Sequence, residues 1–220
     1  MNVLNLIDGT SAAIVLGGTI AATALRCGKR ECAITLYEIG QLWAHPFDAD
    51  AARAGLAVQV QAIKRDGILR AEPRHFGDPE FDEASDAMIS RRSIPALITA
   101  HERHKARRMR LSNTASRLFA QAAELAPVFG MVGTLISLNG LADGGIAGGD
   151  FTIAIGMAVL TTLYGLLAAN LLFAPISRVI ERAAGAEEAE RQKLVDWLAS
   201  QLAETLPAHG PVERKSREAA

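Results

Sequence analysis

Of the hydroxyls in stretches that carry no charge, two are the first groups whose setting suits chemistry. Thr134 follows Gly133, and Thr162 precedes Gly165. A threonine in an apolar helix ordinarily bonds back to a carbonyl of its own helix and does nothing more. The alternative is that both line a narrow pore and offer oxygens to a hydrated ion. Carboxylates are missing from the same stretches. Residues 151–177 hold no carboxylate, and Glu124 stands only at the edge of residues 125–142. A proton path needs a titratable group inside the membrane. If ions move here, the carboxylate has to come from another chain.

The other polar groups read more plainly. His101 and His104 are three apart on a helical pattern, a spacing that can hold a metal. No cysteine or second ligand pair accompanies them and arginines crowd them, so no metal is expected. The run His101, Arg103, His104, Lys105, Arg107, Arg108 and Arg110 reads first as a solvated face near anionic lipid headgroups. Its second reading is a docking site for an acidic partner. Two cysteines, Cys27 and Cys32, exclude a disulfide framework and a four-cysteine zinc site. With no nucleophile–base set, phosphate loop or metal cluster, neither an enzyme nor a cofactor is expected.

The elements that hold these residues follow from where charges are absent. Of 220 residues, 23 are basic and 24 acidic, and half are hydrophobic but only 5% aromatic. That balance excludes a disordered polymer and a basic nucleic-acid binder. Uncharged runs cover residues 9–25, 125–142 and 151–177, lengths of 17, 18 and 27. About 20 apolar residues span a bilayer as a helix. All lysines and arginines lie in 26–117 and 178–220, whereas Asp143–Asp150 (DGGIAGGD) carries acids and glycines. The positive-inside rule then predicts an all-α membrane protein with three spans, N-terminus outside and C-terminus cytoplasmic. The expected domains are a first span in 1–25, a helical cytoplasmic domain in 26–117, two further spans with a short outer turn in 118–177, and a cytoplasmic helix and tail in 178–220. No basic segment precedes the first span, so it reads as retained.

Helical spacing recurs in the cytoplasmic part at Leu36, Ile39, Leu42 and Trp43, and again at Leu56, Val60 and Ile63. His45-Pro46 interrupts the two, and residues 72–79 (EPRHFGDP) read as a loop. Pro95 predicts a kink or break near Ser93. The tail reads as an amphipathic helix ended by Pro207 and Gly210-Pro211. The spans are rich in glycine, alanine and threonine, which lets helix backbones approach closely.

A-P-V-F-G-M-V-G-T-L-I-S-L (126–138) and A-I-G-M-A-V-L-T-T-L-Y-G-L-L-A-A-N-L-L-F-A-P (154–175) resemble the last two spans of the MotA/TolQ/ExbB family of ion-channel subunits. G-G-T-I-A-A-T (17–23) and K-R-D-G-I-L-R-A-E (64–72) resemble segments of its MotA branch. The resemblance implies a bacterial inner-membrane complex. In it a homopentamer surrounds two copies of a single-span partner of the MotB/TolR/ExbD kind, which supplies a membrane aspartate. Ion flow, of protons first of all, would turn the ring.

By the same resemblance Thr134 and Thr162 match the pore threonines, and Ala158, Gly165 and Ala169 belong to the tightly packed pore helix. Pro127 and Pro175 match the prolines of the MotA branch and suit hinges. Lys64, Arg65 and Glu72 match charges used against a cytoplasmic rotor protein. The family's MotA branch has four spans, and this chain starts at the equivalent of the second. Three spans, and Thr134 after Gly133, are features of the TolQ/ExbB branch, but Met157 stands where that branch carries a glutamate. The implied function is a MotA-like stator subunit. The alternatives are a TolQ/ExbB-like energiser of envelope transport or integrity, and a non-conducting membrane scaffold.

Overall fold

The computed structural model describes residues 9–44, 47–67, 70, 78–144 and 148–203. Everything regular among them is helical, and no strand occurs among the described residues. Helix α1 runs Gly9–Ala44, α2 Ala49–Asp66, α3 Pro79–Arg91, α4 Ile94–Gly144, α5 Gly148–Leu167 and α6 Ala174–Leu202. A π-helical turn, Ala168–Phe173, joins α5 to α6. His45-Pro46, Glu72 with most of the 72–79 loop, residues 145–147 of the expected outer turn, and Pro207 with Gly210-Pro211 lie outside the described residues.

Local chemistry sets the helix ends. Asp48 caps α2 by accepting the Ala51 N–H at 2.9 Å, and Gly67 closes it at φ 77°. A side chain at that positive φ is strained, so glycine belongs there. Asp78 caps α3 through the Glu80 and Phe81 N–H groups, with Pro79 in the first turn. The interruption expected near Ser93 is a break between two helices. Arg92 takes a left-handed conformation (φ 51°, ψ 41°) and its N–H returns to Ile89 O. Pro95 then falls in the first turn of α4, where its missing N–H costs nothing.

Helix α1 does not stop where the charges begin at Arg26. It bends at Gly28 (φ 81°, ψ 164°) and continues to Ala44. The backbone is non-helical at this positive-φ glycine, so the first helical stretch ends two residues past Arg26 and a second follows it. Three helices are long and apolar enough to cross a membrane, within Gly9–Gly40, Ile94–Asn139 and Phe151–Leu202.

The helices gather into two compact units. One comprises α1 with residues 110–184. Its packed centre is built of small side chains, Ala122, Ala126, Ala168 and Ala169, closed by Phe173 and flanked by Leu16 and Phe119. Large apolar side chains on the same unit lie open, among them Leu25 at 87%, Leu135 at 67% and Leu171 at 72% exposed. An apolar exterior over a small-residue interior is what lipid and neighbouring helices require. The other unit comprises residues 47–109 with 185–203. Its core is that of a water-soluble bundle, with Leu56, Ile63, Met88, Leu97, Leu198 and Leu202 fully buried. Burying each such side chain contributes about 2 kcal/mol.

Candidate functional site

The crossing of α4 and α5 is cleared by glycine. A Cβ on Gly165 would lie 2.6 Å from Ala126 O and 3.1 Å from Gly130 Cα. A Cβ on Gly130 would lie 3.0 Å from Thr161 O, and one on Gly133 2.7 Å from Thr161 Cβ. The two backbones therefore touch, and Thr161 fills the groove that Gly133 leaves. On the other side Gly18 of α1 receives the Phe129 ring. A bond from Cys27 Sγ to Gln121 Oε1 (3.2 Å) and one from Ser177 Oγ to Ser116 O (2.9 Å) fasten α1 and α6 to α4. Ala158, Gly165 and Ala169 are all buried.

The two threonines singled out from sequence both bond to their own helices. Thr134 Oγ1 donates to Met131 O at 2.6 Å, and Thr162 Oγ1 to Ala158 O at 3.3 Å. This is the ordinary arrangement for a threonine in an apolar helix. It also has a chemical consequence. A hydroxyl that has spent its hydrogen on the helix keeps lone pairs and faces outward as an acceptor. Such an oxygen suits a hydrated cation and repels an anion. Thr161, adjacent to Thr162, is fully buried and donates to the same Ala158 carbonyl at 2.9 Å.

The two prolines differ. Pro127 sits inside the unbroken run of α4. Pro175 is the second residue of α6, directly after the π turn. A proline crowds the carbonyl four residues back and donates no hydrogen bond. The widened turn relieves that crowding by sending the Ala174 N–H to Ala169 O, five residues back.

The second unit holds Lys64 and Arg65 exposed at the end of α2. Lys64 Nζ donates to Gln201 Oε1 at 2.8 Å, and Arg65 Nε to Asp66 Oδ1 at 3.2 Å. The basic run on α4 needs a correction. Neither the lipid-facing nor the partner-docking reading fits His101, His104, Lys105 and Arg108, because they are paired within the unit. Arg108 bonds Glu188 at 2.7 Å and also Glu80. Lys105 Nζ lies 4.0 Å from Glu188, and His104 Nε2 lies 3.1 Å from Glu83. His101 Nε2 approaches Glu188 Oε1 at 3.3 Å without hydrogen-bond alignment. Arg191 of α6 completes the cluster, 2.8 Å from both Asp78 and Glu187 and stacked 4.0 Å from the Phe47 ring centroid. The acids come from α3 and α6, too distant in sequence for the run itself to reveal them. His104 is thus set between two carboxylates, whereas His101 lies against one without a hydrogen bond.

Three membrane-length apolar helices, two of them in glycine-cleared contact, define an all-helical membrane protein. Residues 75–193, more than half of the chain, match the model of the MotA/TolQ/ExbB proton channel family, and the chain belongs to that family. It is 29% identical over 213 residues to the uncharacterized protein YtxD of Bacillus subtilis, covering 88% of this chain and 72% of that protein. Motility protein A of Borreliella burgdorferi is 31% identical over 154 residues, covering 64% of this chain and 55% of that protein. Chemotaxis protein PomA of Vibrio alginolyticus is 24% identical over 205 residues, covering 86% and 76%. The fold matches the C. jejuni MotAB structure with a TM-score of 0.79 at 16% identity, over 96% of this chain and 89% of that one. It also matches the flagellar MotAB stator complex of Bacillus subtilis with a TM-score of 0.73 at 18% identity, over 89% and 79%.

Proposed function

We propose that this chain is a MotA-like subunit of an ion-driven motor in the bacterial cytoplasmic membrane. Five copies surround two copies of a single-span partner whose membrane aspartate takes up and releases the ion, a proton in the first instance. The N-terminus faces outside, and residues 26–117 and 178–220 face the cytoplasm. Ion flow past Thr134 and Thr162 turns the ring, Pro127 and Pro175 let the helices flex, and Lys64, Arg65 and Glu72 act on a cytoplasmic rotor or other target.

The observation that carries the reading is the α4–α5 crossing. Gly130, Gly133 and Gly165 bring the backbones together, while Thr134 and Thr162 keep acceptor oxygens. No carboxylate occurs in residues 151–177, so a titrating group from a partner chain is required. Names of relatives and of matched structures point the same way: motility protein A and the MotAB stator.

The test replaces each threonine by valine, which keeps the shape and removes the oxygen. Thr134→Val and Thr162→Val should each cut ion-driven output about tenfold, the rate cost of one lost hydrogen-bond acceptor. Output is read as rotation or as ion uptake in cells carrying the variant. Full output from both variants leaves the scaffold reading in its place.

A further inference from the structure

We propose that Asn170, through its side-chain Oδ1 and its main-chain carbonyl, forms an oxygen station for the partly hydrated cation on the cytoplasmic side of Thr162. The inference rests on the conducting role proposed above and extends it to a residue that role does not use.

Three observations meet at this position. In residues 153–175 Asn170 is the exposed polar side chain, and the exposed neighbours Leu166, Leu167, Leu171 and Leu172 are apolar. An amide facing hydrocarbon is costly, so this face meets water or protein rather than lipid.

The amide is also held in place. Its Nδ2 donates to Leu166 O at 2.9 Å, which leaves Oδ1 as an acceptor. Thr134 and Thr162 use the same device, with the donor turned to the helix and the oxygen kept.

The third observation is in the backbone. Asn170 lies inside the π turn Ala168–Phe173. An α-helix would give its carbonyl the Ala174 N–H, but that group is directed to Ala169 O. A π-helix would give it the N–H of residue 175, which is proline and has none. The helix withholds both usual donors from a carbonyl in a membrane-length apolar segment. Irregular backbone at that depth persists where it lines a water-filled cavity or is buried in protein. Two oxygens at one residue, the carbonyl denied both usual helix donors and Oδ1 kept as an acceptor, fit a cation and its water. Thr162 and Asn170 are eight residues apart, about 12 Å along a helix, so they serve as successive stations and not as ligands of one site.

The experiment uses the complex that this chain forms with its partner, purified from its own cells and sealed into vesicles holding a pH-sensitive dye, then a sodium-sensitive one. Asn170→Leu should lower the flux about tenfold with the mass of the complex unchanged. Asn170→Ser keeps an oxygen and should stay within about threefold of the starting flux. Undiminished flux in Asn170→Leu, with the unaltered complex conducting, overturns the Asn170 station alone. Loss of the complex in both Asn170 variants assigns the amide to helix association and also overturns it. An unaltered complex that passes neither protons nor sodium overturns the conducting role together with the station.

Discussion

At Gly165 the fold leaves no room for a methyl group. The obstruction is backbone, Ala126 O at 2.6 Å and Gly130 Cα at 3.1 Å, so no rotamer change relieves it. Gly165→Ala should destabilise the helix pair by about 1–3 kcal/mol, the usual cost of overpacking, read as a lower unfolding temperature in detergent. Gly185 is the control. Nothing lies within 4 Å of a Cβ there, so Gly185→Ala should stabilise by about 0.5–1 kcal/mol through helix propensity. The small-residue spacing made Gly165 legible as a packing position. It could not pair Gly133 with Thr161, because that contact joins two helices across a turn. Nor could it separate Thr161 from Thr162. Adjacent threonines look alike in sequence, yet one is buried and the other partly open. Asn170 escaped for a simpler reason: an asparagine does not interrupt a run defined by the absence of charge.

Among the elements, the sharpest contrast is on α4. Its amphipathic pattern and the break before Pro95 were legible, since both are local. The destination of its basic face was not, because Glu80, Glu83 and Glu188 stand on other helices. The mostly buried Glu188 carboxylate answers Arg108, Lys105 and His101 together. Glu188→Ala strands those groups and should cost about 3 kcal/mol, as removing one partner of a buried pair does. Arg103, exposed and turned to the Thr99 carbonyl, is the comparison, and Arg103→Gln should stay within about 0.5 kcal/mol. Chemical denaturation of the purified chain measures both, and equal effects would contradict the clamp. The π turn was illegible for another reason. Pro175 announced a disturbance, but whether a helix kinks, breaks or widens depends on packing. Here Ala168, Ala169 and Phe173 are all buried in the packed centre.

For the whole molecule, the charge-free runs made three membrane-length helices legible, and the two span motifs made the family legible. Subunit number was beyond the charge pattern, because a span reads the same to lipid and to a neighbouring copy. The exposed faces carrying Leu135, Ile153, Val159 and Leu171 need covering by one or the other. In the proposed function, copies of this chain close a ring around a conducting axis. The most direct measurement is cryo-electron microscopy of the detergent-purified chain, with particle symmetry read before a model is built. Fivefold symmetry, with Thr134 and Thr162 directed to the central axis, is the predicted result. A monomer or dimer with no central axis would contradict the account and leave a helical membrane scaffold.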